Sequence, residues 1–213
     1  MLRVATKSIR IPEVIDLVVS MGAYPARLMC YSVREAVFLI EWSKQKHGKN
    51  KFLDILIAYP TVDRRDILLA HQANVEGTKL VLMIDSESHV EHISSVLRSI
   101  TDTELKTPLP VCIDVDCSFR PWNGLLHLGA HRSPCHTVED FGRIVSQLKQ
   151  PWNRMRLAGV MTYEAQIAGV GDSSIYNSTI FNCGIRLMKY FSNKQVRALR
   201  QEIAHFLHSE GIQ

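Results

Sequence analysis

Short apolar or β-branched runs recur along the chain, with longer stretches of helical periodicity between them. Six of these runs predict strands, at residues 3–6, 27–31, 54–59, 79–84, 111–115 and 157–161. Several, such as Leu80-Val81-Leu82-Met83-Ile84, are continuously apolar instead of alternating, as expected of strands covered on both faces. The intervening segments carry helix starts with a physical basis. Ser32 with Glu35 and Ser192 with Gln195 have capping-box spacing, and Thr137 with Asp140 is a near variant. Ala36, Val37, Phe38, Leu39 and Trp42 predict one apolar helical face, and Val196, Leu199, Ile203, Phe206 and Leu207 another. Alternating βα units imply a parallel sheet, either doubly wound or closed into a barrel, and periodicity alone does not choose between them. No GxGxxG or Walker loop follows any strand. An eight-unit barrel needs about 250 residues. The chain has 213, shows six units and starts abruptly on a strand, so a barrel reading makes it short at one or both ends.

Composition adds little against this picture. At 46% hydrophobic and 22% charged, the chain is expected to form one soluble globular domain over residues 1–213. The net charge of +4 is spread along the chain, so no nucleic-acid partner is inferred. Arg3, Lys7 and Arg10 precede no long apolar stretch, and no window resembles a membrane span, so a cytoplasmic setting without membrane contact is expected. The five cysteines are odd in number and form no CxxC pair, which argues against a disulfide framework or a structural zinc site.

In parallel α/β folds the chemistry sits at the carboxyl ends of the strands. The residues there are Lys7 and Ser8, Tyr31 and Ser32, Tyr59 and Thr61, Asp85 and Ser86, Asp114 and Asp116, and Tyr163, Glu164 and Gln166. Lys7 is the sharpest of them. A lysine at a barrel mouth, against apolar wall, can be desolvated into an amine nucleophile toward an aldehyde, whereas most lysines near an N-terminus are solvated surface groups. Arg132 is open to a plain ion pair with Asp114 or Asp116, and Tyr163 to a wall position with its hydroxyl satisfied by a neighbour. Asp114 and Asp116 point to one side of a strand, as an acid/base pair or as capping and salt-bridging groups. His127, His131, Cys135 and His136 form the one dense cluster of potential metal ligands, but their spacing fits no strong ligand pattern and ordinary loop histidines are expected.

Six sequence words follow in order: Arg3-Val4-Ala5-Thr6-Lys7-Ser8, Met29-Cys30-Tyr31-Ser32-Val33-Arg34-Glu35-Ala36, Asp54-Ile55-Leu56-Ile57-Ala58-Tyr59-Pro60-Thr61, Asp114-Val115-Asp116, Leu128-Gly129-Ala130-His131-Arg132-Ser133-Pro134 and Gly159-Val160-Met161-Thr162-Tyr163-Glu164-Ala165-Gln166. Together they resemble the D-threonine aldolase and D-serine dehydratase branch of the alanine racemase N-terminal superfamily, from Arg3 to about Leu207. The resemblance implies a TIM-type (β/α)8 barrel that binds pyridoxal 5'-phosphate, here incomplete at about six βα units and truncated at both ends.

It also implies that Lys7 holds the cofactor as a Schiff base, is displaced by a substrate amine and then moves protons at the substrate Cα, the cofactor supplying the electron sink. By the same matching Arg132 lies beside the cofactor, and Tyr163 and Gln166 line its pocket. The implied activity is a lyase, an aldolase or dehydratase, on a β-hydroxy D-amino acid. A racemase on the same fold and a non-catalytic cofactor-binding protein or inactive fragment are the other readings. In this branch the metal ligands and the dimer contacts involve a separate C-terminal β-domain absent from residues 1–213. No metal is therefore expected within this chain, and a divalent metal or a homodimer is expected only for a full-length chain.

Overall fold

The computed structural model describes residues 2–22, 27–100, 107–172 and 178–212. It begins with β1 (Val4–Ala5), a single 3-10 turn (Thr6–Ser8) and α1 (Pro12–Ser20), then β2 (Arg27–Cys30) and α2 (Val33–His47). Next come β3 (Asp54–Ile57), α3 (Arg64–Val75), β4 (Lys79–Ile84), α4 (Glu87–Leu97) and β5 (Leu109–Val115). The short α5 (Pro121–Gly124) and α6 (Val138–Leu148) precede β6 (Met155–Thr162), the short α7 (Ala165–Ala168) and α8 (Thr179–Ser209). The strands form one parallel sheet in the order β1-β2-β3-β4-β5-β6. All six predicted strands are present, and the α/β architecture is the expected one. The chain gathers into two compact units, residues 1–113 with 146–159 and residues 114–145 with 160–213.

In the first unit β4 and β5 are covered on both faces, as their continuous apolar runs require. Leu80, Val81, Leu82, Met83 and Ile84 of β4 are all buried, as are Leu109, Val111, Cys112 and Ile113 of β5. Ile67 of α3 and Ile93 of α4 are fully buried with them. The start of α2 is the predicted one: Ser32 Oγ accepts from the Glu35 amide at 3.3 Å, and Glu35 Oε2 accepts from the Tyr31 amide at 2.7 Å. The predicted apolar face of α2 is only partly buried: Ala36 and Leu39 lie inside, while Phe38 is exposed. At the amino ends of the strands one carboxylate collects three cations. Asp54 of β3 meets Arg3 at 2.7 Å, Arg27 at 3.5 Å and Lys79 at 3.8 Å.

In the second unit α6 starts on the expected near-capping box. Thr137 Oγ1 accepts from the Asp140 amide at 3.1 Å, and Asp140 Oδ2 accepts from the His136 and Thr137 amides, each at 3.1 Å. Burial alone would raise the Asp140 carboxyl, but these hydrogen bonds outweigh it and hold it below the usual carboxylate range. A carboxylate with a lowered folded pKa stabilises the fold above its unfolded value, and that contribution fades as pH falls through the folded one. Asp140→Ala should thus cost about 1 kcal/mol at neutral pH, as caps do. In urea titrations at several pH values the gap to wild type should close below about pH 4; a gap independent of pH would show that the charge does nothing.

One predicted helix start is wrong. Ser192 and Gln195 do not cap a helix but lie inside α8, a 31-residue helix whose cap is Ser178, with its hydroxyl accepting from the Phe181 amide at 3.2 Å. The two side chains are polar for another reason: Ser192 accepts from Gln166, and Gln195 donates to the Ser118 carbonyl and accepts from the Arg120 amide. Val196, Leu199 and Ile203 are buried, as their spacing predicts. No helix among the described residues is long and apolar enough to cross a membrane, and none of the five cysteines is in a disulfide.

Candidate functional site

The carboxyl ends of β1, β2 and β3 bring three chemically capable side chains together in the first unit. The residues after β1 tighten at once into the 3-10 turn, with Thr6 buried and its hydroxyl donating to the Met29 carbonyl at 3.3 Å. Lys7 is thereby turned outward. Its carbonyl accepts from Arg10 Nε at 3.1 Å, and Arg10 itself sits at φ +32°, an uncommon backbone for a residue with a side chain. Lys7 Nζ donates to the Tyr59 hydroxyl at 3.5 Å. The Tyr59 ring stands 4.9 Å from that of Tyr31, tilted by 53°. The sequence expectation of an apolar wall around the amine is not met: Lys7 is exposed, and its recorded partner is a phenol. Beside Tyr31 a cleft of about 270 Å³ opens between Arg10, Ile15, Ser32, Glu35 and Phe38.

The second unit holds the other three expected site residues. Arg132 Nε and an Arg132 terminal nitrogen both reach Asp114 Oδ2 at 3.2 Å, so the ion-pair alternative is realised. The same guanidinium lies 5.1 Å above the Tyr163 ring, which is half exposed instead of walled in. Gln166 is fully buried, and its amide nitrogen donates to the Cys117 carbonyl at 2.7 Å and to the Ser192 hydroxyl at 2.9 Å. It ties β5's exit to α8, and those bonds leave its nitrogen no capacity for a ligand.

A chain of short bonds fastens the segment after β5. Ser133 Oγ donates to the Asp114 carbonyl at 2.7 Å, the Asp116 amide to Cys135 at 2.7 Å, and Phe119 and Leu128 exchange amide hydrogen bonds. Gly129 sits at φ +140°, and a Cβ there would meet Ser118 Oγ at 2.7 Å and Gln166 Oε1 at 3.0 Å, so only glycine fits.

Asp116 is buried, yet ionised. Burial raises its carboxyl, but hydrogen bonds from the Ser118 hydroxyl and amide and from Arg120 prevail and hold it below the usual range. Arg120 reaches it at 2.7 Å. His127 and His131 also approach the same oxygen, at 3.7 and 4.0 Å. The sequence reading grouped these histidines with Cys135 and His136. Cys135 is instead buried under β5's exit, and His136 belongs to the start of α6, 3.3 Å from Asp140. Burial pushes the thiols of Cys30 and Cys117 up to about 12 and about 11, which removes them as nucleophiles at neutral pH.

No family model and no curated protein sequence matches the chain. Solved structures do. The D-threo-3-hydroxyaspartate dehydratase from Delftia sp. HT23 aligns with 99% of the chain at TM-score 0.60 and 19% identity. The D-threonine aldolase from Filomicrobium marinum aligns with 94% at TM-score 0.61 and 15% identity. The chain has the fold of the pyridoxal-phosphate barrel enzymes. An alanine racemase from Clostridium difficile 630 shares it at TM-score 0.55, over 95% of the chain and with 14% identity. The chain spans 45% of the first two structures and 42% of the third. At such identities the likeness speaks for the fold, and the chemistry has to be argued from the residues.

Proposed function

We propose that the chain is the lysine-bearing part of a pyridoxal-phosphate-dependent amino-acid enzyme, a lyase acting on a β-hydroxy D-amino acid. The observation that carries the reading is the placement of Lys7: an accessible amine at the carboxyl end of β1, on a tight turn, 3.5 Å from the Tyr59 hydroxyl. In a barrel of this fold that strand end is where chemistry is expected.

The donor set suits the cofactor. Lys7 supplies the primary amine an aldehyde requires, and the Tyr31–Tyr59 pair supplies aromatic surface beside it. Bound there, pyridoxal phosphate supplies the electron sink for bond cleavage at the substrate Cα. Lys7 Nζ would hold the cofactor covalently and carry the proton at Cα, and the Tyr59 hydroxyl orients that amine through its hydrogen bond. Arg10, bonded to the Lys7 carbonyl, fixes the turn from which the side chain projects. Cofactor contacts by Arg132 and Tyr163 are proposed with this reading on the motif resemblance. Gln166, with its amide nitrogen committed to Cys117 and Ser192, is proposed to act by holding the segment after β5.

The test is reductive trapping. Protein incubated with pyridoxal phosphate and treated with borohydride should carry the label on the peptide containing Lys7, and Lys7→Ala should lose it. Label distributed over other lysines, or undiminished in the variant, would refute the assignment. Chiral and carbonyl analysis of products from D-threonine, D-serine and alanine then separates the classes: aldehyde or keto acid supports a lyase, and enantiomer exchange without cleavage a racemase.

A further inference from the structure

The Asp116 carboxylate and the rings of His127 and His131 converge in the second unit, outside every role assigned above. Their ligating atoms lie within 4.8 Å of one another. Asp116 Oδ2 is 3.7 Å from His127 Nε2 and 4.0 Å from His131 Nδ1. A tetrahedral zinc ion with bonds of about 2.1 Å holds its ligands about 3.4 Å apart, so the two carboxylate–imidazole pairs would close by about 0.3 and 0.6 Å, and the ring of the exposed His131 would swing inward to bring the two histidine nitrogens, now within 4.8 Å, to the same spacing. The rings are already edge to face, with centroids 5.0 Å apart.

We propose that Asp116, His127 and His131 form a three-ligand site for a divalent transition ion, zinc by ligand type. Two imidazoles and one carboxylate match the borderline character of that ion. Asp116 is 1% exposed at its side chain, so it presents a carboxylate oxygen shielded from water, which Arg120 alone now neutralises. His127 Nε2 is buried and makes no hydrogen bond among the described residues, a buried nitrogen that a metal would satisfy. His131 is 75% exposed, so an ion held here keeps an open position toward solvent. Arg120 donates to the same Asp116 oxygen at 2.7 Å and competes with the ion for it.

Sequence spacing hides the site. Its carboxylate lies on the residue after β5, and the Phe119–Leu128 bridge, with the Ser118 hydroxyl donating to the Ala130 carbonyl, folds the two histidines back onto it.

Titration of the tag-free full chain with cobalt(II), in a Cys183→Ser background that removes the exposed thiol, tests the proposal. One ion per chain should bind, with the visible absorption of low-coordinate cobalt, and zinc should displace it. His131→Ala, a change at an exposed side chain, should weaken binding at least about tenfold, the lower bound for loss of even a residue that only orients a ligand. Arg120→Gln should bind at least as tightly as the parent. No stoichiometric binding, an affinity unchanged in His131→Ala, or weaker binding by Arg120→Gln would overturn the site. Thermal unfolding gives an independent readout: zinc should raise the midpoint of the parent and not of His131→Ala.

Discussion

Phe141→Ala should lower the unfolding free energy by about 3–5 kcal/mol, the cost of deleting a fully buried phenylalanine. Phe141 has no exposed surface, and its ring meets that of Phe206 edge to face with centroids 5.8 Å apart. The pair joins α6 to α8 within the second unit. The neighbouring backbone cannot move in to fill the space, because Phe206 also lies against Gly142, where a Cβ would already stand 3.1 Å from its ring. A site that cannot collapse keeps its cavity, which puts the loss toward the upper end of that range. Urea denaturation of the two proteins measures it, and a loss under about 1 kcal/mol would mean that the helices repack freely.

Asp114→Ala should be comparably damaging, for an electrostatic reason. Asp114 is 1% exposed at its side chain and faces Arg132, which is itself only 16% exposed. Removing one partner of a buried pair leaves the other charge short of its counter-ion, at a cost of about 3–5 kcal/mol. Replacing both residues by apolar ones of similar size should recover most of the loss, since an absent pair is far cheaper than a broken one. A double-mutant cycle over Asp114→Ala, Arg132→Met and the combination gives the coupling directly. Additive losses would show that Arg132 does not depend on Asp114. Strong coupling would show that the guanidinium over Tyr163 is held in place before any ligand arrives.

The strands were legible because burial on both faces leaves an unbroken apolar run, which is what β4 shows from Leu80 to Ile84. Helix starts were legible where the capping residues serve the helix itself, as Ser32 and Thr137 do. The same spacing misled at Ser192 and Gln195, whose polar groups answer partners 26 to 77 residues away in sequence. Local pattern carries no information on such pairs. The site divides the same way. The position of Lys7 at a strand end was legible from its strand, whereas its tyrosine partner lies 52 residues on. Of the histidine cluster, sequence proximity favoured His136 and Cys135, and the fold replaced both with Asp116.

The carboxylate at the start of β3 has a meaning beyond its ion pairs. Arg27, Asp54 and Lys79 are direct partners in the registers of β2, β3 and β4, so the three charges stand in one row across the sheet. A slip of any of these strands by one residue would turn its charge to the opposite face and strand the others among apolar neighbours. Apolar runs as uniform as Leu80–Ile84 cannot by themselves tell one alignment from the next. Asp54 therefore works as an alignment mark, the position against which otherwise interchangeable strands are set.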